Sequence, residues 1–262
     1  MNDWLPVLTF HRICDQPYAE DPLGLCTRPQ DLERVLRYLT AHRYRFVSLD
    51  AAVRVLVTGR ETGQRLACLT FDDGYRDFYT TAFPILRKYG ASVTVFLVVN
   101  RLGETNRWDD AYGLPPVPLM DERQVRELDA AGIEFGSHTL NHPRLTQIDA
   151  AEQAREVIDS RTALEALLGH SVPYFCYPHM DCDGAVQTLA RRAGYRAAFG
   201  GEQAANEPYL LHRINVSQMT WPLVLLRLWG WRFALQRNAP LRHMKHLLTP
   251  ARSPDKIAEA GK

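Results

Sequence analysis

The chain has 262 residues, 46% hydrophobic and 23% charged, an ordinary globular composition with enough apolar material for a core, which excludes wholesale disorder. Lys and Arg number 31 against 30 Asp and Glu, a net charge of +1, so no global field points to a nucleic-acid partner. No apolar run approaches the ~20 residues a membrane-spanning helix needs. The start, Met1-Asn2-Asp3-Trp4, lacks a basic n-region, and the expected location is cytoplasmic.

In chain order, the apolar run at 5–10 reads as a buried strand, and 30–41 carries the three- and four-residue spacing of a helix. A second strand at 66–71 leads to a helix at 79–89 that stops at Gly90, and a third strand follows at 92–99. Residues 100–118 break this rhythm with Gly103, Gly113, Pro115, Pro116 and Pro118 around Trp108-Asp109-Asp110. A loop this long in a compact domain is commonly a rim over a site. Helices at 122–131, 150–168 and 184–193 end at Gly132, Gly169 and Gly194, and strands at 133–135, 174–177 and 195–199 separate them. Strand–helix alternation of this length predicts an α/β chain with a mostly parallel sheet. A (β/α) barrel is the first choice and an open sheet the second. The five cysteines are scattered without CxxC spacing and read as reduced structural thiols.

Two clusters carry chemistry. Leu69-Thr70-Phe71-Asp72-Asp73-Gly74 is an apolar strand that ends in adjacent carboxylates. On an extended chain these diverge, so a turn at Gly74 is needed to bring both to one pocket. Taken alone, the pair is an ordinary surface turn. Ser137-His138-Thr139-Leu140-Asn141-His142-Pro143 follows another strand, and its His-x-x-x-His spacing puts both imidazoles on one side of a helical turn. Together the clusters give one carboxylate and two imidazoles for a divalent metal, plus a second carboxylate free to act as base toward a metal-bound water. That chemistry is amide or ester hydrolysis. A non-haem iron oxygenase uses a similar triad but needs no second carboxylate.

With these residues in hand, the chain resembles the polysaccharide deacetylase family (NodB homology, carbohydrate esterase family 4). Thr70-Phe71-Asp72-Asp73-Gly74 resembles the first family motif and His138-Thr139-Leu140-Asn141-His142-Pro143 the second. Leu8-Thr9-Phe10-His11-Arg12-Ile13 resembles the opening of exopolysaccharide-biosynthesis members. The resemblance implies a distorted (β/α) barrel and a divalent metal, Zn²⁺ first, with Co²⁺ or Ni²⁺ also suited. It implies Asp72 as general base and Asp73, His138 and His142 as ligands. Tyr75, Tyr177, Pro178, His179, Trp108 and His11 are the expected substrate-contacting residues, with the His179 backbone N–H serving the oxyanion. His11 reads equally as a hydrogen-bonded core residue.

The later motifs depart from the family pattern. Cys176 stands where the third motif has arginine, and Met180 where it has glycine, so something else must orient Asp72. Leu210-Leu211-His212 matches the Leu-x-His motif and makes His212 the general acid, while Arg213-Ile214 is a competing counterpart. The loss of the arginine also keeps a catalytically impaired sugar-binding relative as the alternative.

The expected catalytic domain spans 1–220, and 221–262 forms a C-terminal helix with a polar tail. From 208 to 254 there are seven Lys or Arg and no Asp or Glu, with Trp221, Trp229, Trp231 and Phe233 among leucines. This segment reads either as a closing barrel helix or as a helix touching a membrane surface through 221–247. A cytoplasmic location then implies an N-acetylated amino sugar in a glycan or in a lipid- or nucleotide-linked precursor.

Overall fold

A computed structural model describes residues 5–16, 21–59, 63–201, 207–217 and 221–228. The chain divides into two compact units, Met1–Thr220 and Trp221–Lys262. In the first, strand β1 (Val7–Phe10) is followed by β2 (Arg12–Ile13) and β3 (Cys26–Thr27), which form a small parallel pair of their own. Helix α1 (Pro29–Ala41) starts on a proline and buries Leu32, Val35, Leu36 and Leu39, one stripe of its surface. Strand β4 (Arg45–Phe46) leads to α2 (Leu49–Thr58), whose cap Ser48 accepts the Ala51 N–H. Strand β5 (Leu66–Phe71) is buried throughout. A π turn at Phe78–Ala82 then runs into α3 (Phe83–Lys88).

Strand β6 (Val93–Leu97) precedes the rim loop and α4 (Glu122–Ala130), which opens with a reciprocal Asp121–Gln124 capping box. Strand β7 (Glu134–Ser137) is followed by α5 (Ala150–Ala154), a second π turn at Arg155–Asp159, and α6 (Ser160–Leu168). Strand β8 (Tyr174–Cys176), α7 (Gly184–Arg192), β9 (Ala197–Phe199) and β10 (Ile214–Asn215) complete the unit.

All strand pairs are parallel, in the order β10-β1-β5-β6-β7-β8-β9, with β4 on the N-terminal half of β5. The segment 207–216 joins the first and last strands. Leu211 exchanges hydrogen bonds with Ala198 and Gly200 on one side, and Ile214 pairs with Leu8 on the other. A short connecting segment thus closes the sheet, which makes it the distorted (β/α) barrel expected from the sequence. Its interior is filled by Val7, Cys68, Phe96, Tyr174, Cys176, Phe199 and Leu211.

Several features differ from the sequence expectations. Helix α2 is an addition to the expected elements, although Leu49, Ala52, Val53 and Leu56 follow helical spacing, and the two-residue strands β2, β3 and β4 are too short to be read. The helices expected at 79–89 and 150–168 each contain a π turn. Cys14 and Cys26 form a disulfide, with Cα atoms 5.9 Å apart, leaving Cys68, Cys176 and Cys182 as free thiols. Parallel pairing of Arg12 with Cys26 and Ile13 with Thr27 brings the two cysteines together, a long-range effect with no local spacing signal.

The described part of the second unit is helix α8 (Trp221–Leu228). Trp229, Trp231 and Phe233 lie outside the described residues. Among the described residues no helix is long and apolar enough to cross a membrane.

Candidate active site

Residues two apart on a strand face the same way. On β5 the inward series Leu66, Cys68, Thr70 continues to Asp72. On β1 Val7 and Thr9 lead to His11, and on β7 Gly136 leads to His138. Cys176 ends the inward series of β8, and Leu211 is followed on that face by Arg213. These C-terminal strand ends form one polar cluster over the apolar interior, on the face where (β/α) barrels carry their sites. Gly136 is needed here, because a Cβ would meet the Phe96 ring at 2.5 Å.

Asp73 should point away from Asp72, and its backbone corrects this. It is left-handed, with φ +71°, so the turn starts one residue earlier than expected. Gly74 continues it at φ +76°, and a Cβ there would meet Leu97 Cδ2 at 2.6 Å. Asp73 Oδ1 then lies 3.3 Å from both His138 Nε2 and His142 Nε2. All three side chains are buried, and their ligand atoms lie within 4.8 Å of one another.

The two histidines are not on a helical turn as expected. They flank an irregular loop in which Thr139 and His142 are left-handed, at φ +71° and +65°, and Pro143 follows directly. His138 Nδ1–H donates to the Cys176 carbonyl at 2.8 Å, which leaves its Nε2 lone pair directed at the Asp73 carboxylate. A lone pair and an anionic oxygen at that distance require a proton or a cation between them. One carboxylate and two imidazoles suit a divalent metal. Burial alone pushes the Asp73 carboxyl up, but the two imidazoles outweigh it and hold the group well below the usual carboxylate range.

Asp72 is held differently. Arg213 Nη1 and Nη2 donate to its two oxygens, each at 2.7 Å, in a buried bidentate pair. Arg213 also reaches the Gly200 carbonyl, Thr70 Oγ1 and Cys176 Sγ. Burial raises the Asp72 carboxyl and the guanidinium more than offsets it, so the group stays below its ordinary value and ionised. Asp72, His138 and Cys176 form a second set of potential ligands, but the Arg213 guanidinium lies 2.7 Å from Asp72 and 2.8 Å from Cys176 and already supplies the cation there.

Arg213 is therefore what orients Asp72 where the third-motif arginine is missing. It stands two residues beyond Leu211, but the sequence predicts no strand there, so strand alternation could not point to it. His212 lies between these two inward positions, outside any strand, and is half-buried. His11 Nε2 lies 3.9 Å from Asp72 Oδ2 and is partly open to solvent.

The remaining expected residues divide between wall and mouth. Tyr75 and Tyr177 are enclosed, and the Tyr177 hydroxyl donates to the Tyr209 carbonyl, so as placed neither presents surface to a substrate. Pro178 is also buried. Trp108 and His179 lie on the His142 ring, with centroids 4.6 and 4.5 Å away. His179 and Met180 are both left-handed, and Met180 is 61% exposed. The rim loop is bonded to the acid turn through Met120 N–H to the Gly74 carbonyl and Arg76 N–H to the Pro118 carbonyl.

A parallel barrel that gathers one carboxylate and two imidazoles at its C-terminal face has a site that could hold a metal ion. Residues 59–198, more than half the chain, match the polysaccharide deacetylase family, and the chain belongs to that family. It is 25% identical over 217 residues to YxkH of Bacillus subtilis (strain 168), covering 81% of this chain and 71% of that one. It is 30% identical over 143 residues to the poly-β-1,6-N-acetyl-D-glucosamine N-deacetylase of Staphylococcus epidermidis, covering 50% of this chain and 47% of that one. The present chain thus spans about half the length of that relative. The deacetylase PplD of Streptococcus pyogenes, solved with acetate, superposes with a TM-score of 0.73 at 26% identity, covering 86% of this chain and 97% of that one.

Proposed function

We propose that this protein removes the N-acetyl group of an amino sugar in a glycan or glycan precursor, with N-acetylglucosamine units as the first candidate. The observation that carries this reading is the convergence of Asp73, His138 and His142 beside a separately held carboxylate, Asp72. The Staphylococcus epidermidis relative supports the sugar. Asp73, His138 and His142 would hold a divalent ion, Zn²⁺ first, which supplies Lewis acidity and water activation near neutral pH when bound.

Asp72 takes the proton of the attacking water. Arg213 fixes the orientation of that carboxylate and keeps it ionised, while each oxygen retains a lone pair for the proton. The His179 backbone N–H serves the oxygen that becomes negative in the tetrahedral intermediate. His11, beside Asp72 and partly open to the mouth, gives a proton to the departing amine. Trp108 forms the rim against which a sugar ring packs. The sugar-binding alternative loses its main support, because Arg213 fills the role left by Cys176.

Acetate release from N-acetylglucosamine oligomers tests the assignment. Wild type releases acetate, and Asp72→Asn does not. His11→Ala lowers kcat by ~10²-fold or more, while His212→Ala stays near wild type. The reverse order of the two histidine variants would return the acid to His212.

A further inference from the structure

The helix after the histidine loop is interrupted by the π turn Arg155–Asp159. Such turns occur frequently at functional sites. This one carries Glu156, which is only 2% exposed although ionisable. Its carboxylate is spent entirely on the loop between the two candidate ligands. Oε2 accepts the Leu140 N–H at 2.8 Å and the Asn141 N–H at 2.9 Å, and Oε1 accepts Asn141 Nδ2–H at 2.7 Å.

The loop needs such support. Thr139, a β-branched residue, and His142 both sit in the left-handed region. The same helix adds a second anchor four residues on. Ser160 and Ser137 share a hydroxyl hydrogen bond of 2.8 Å, Ser137 Oγ accepts the Thr139 N–H, and Thr139 Oγ1 accepts the His142 N–H. A buried charge that accepts backbone N–H groups fixes their directions more firmly than packing does.

We infer that Glu156 is a positioning residue for the metal site. It acts through the Leu140 and Asn141 amides to hold His138 and His142 at ligating geometry. This rests on the metal-site reading given above. It assigns the π turn the task of directing Glu156 at the loop, and it separates Glu156 from side chains that only stabilise the barrel.

The test uses the full chain and Zn²⁺ alone. Glu156→Gln and Glu156→Ala are compared with wild type by competition against a chromophoric chelator, well below the melting temperature. Leu164→Ala, a buried change on α6 that removes no hydrogen bond from the loop, is the control. Loss of a partner that orients ligands typically weakens metal binding by ~10–100-fold, and that is the expected result for both Glu156 variants. Leu164→Ala should lower Tm and leave the Zn²⁺ Kd unchanged. Amide hydrogen exchange at Leu140 and Asn141 in metal-free protein should speed up in Glu156→Ala.

Zn²⁺ affinity equal to wild type in both Glu156 variants, with a Tm loss like that of Leu164→Ala, would make Glu156 an ordinary anchor and overturn the inference. Protected Leu140 and Asn141 amides in Glu156→Ala would do the same without reference to metal. A wild type that binds no Zn²⁺ would instead strike the metal-site reading, and the inference with it.

Discussion

At the end of β5, Asp72 and Asp73 stand side by side and are kept ionised by different partners. Asp73 faces two imidazoles and Asp72 faces a guanidinium, so their roles diverge although their sequence neighbourhood is the same. The direction of the Asp72 shift fixes a pH prediction. A base must be ionised to act, so the acid limb of kcat/KM follows the Asp72 carboxyl. With Arg213 present that limb lies low. In Arg213→Leu the guanidinium is gone and burial remains, so the carboxyl rises and the limb moves to higher pH. Stability should fall by ~3–5 kcal/mol as well, because a buried charge loses its partner. A pH–rate profile with an unmoved acid limb would remove Arg213 from this role. Both clusters were legible in the sequence. Neither the left-handed turn at Asp73 nor the Arg213–Asp72 pair was, since one depends on local backbone and the other on contacts 141 residues apart.

At the scale of elements, strand alternation did the most to make the site readable. Val7-Thr9-His11, Cys68-Thr70-Asp72 and Gly136-His138 each follow one inward face, so a polar residue two positions beyond an apolar strand lands at the site. Elements without that periodicity stayed hidden. A π turn looks like an ordinary helix in sequence, and the β2–β3 pair is too short to register. The same alternation makes Gly136 a sensitive position. Gly136→Ala forces the Phe96 ring to move and should destabilise the barrel by ~1–3 kcal/mol. Denaturant unfolding would read this, and an unchanged midpoint would mean that Phe96 yields freely.

At the scale of the whole molecule, barrel closure through 207–216 brings Arg213 to Asp72, so the closing segment is also part of the site. The Cys14–Cys26 disulfide links β3 to the residue that follows β2 and can be checked directly. The scattered cysteine spacing reads as reduced thiols, whereas a disulfide is chemistry of an oxidising environment. Denatured but unreduced protein, isolated with thiols blocked, should present three reactive cysteines, Cys68, Cys176 and Cys182. Five would mean that Cys14 and Cys26 are reduced in the isolated protein.

On the proposed reading, Asp73, His138 and His142 hold the metal that deacetylation needs. Elemental analysis of wild type and the His138→Ala/His142→Ala double variant, with acetate release measured on the same samples, tests it most directly. One divalent ion per wild-type chain is expected, lost together with acetate release in the double variant. Full acetate release from a metal-free wild type, or from a double variant that keeps its activity, would contradict it.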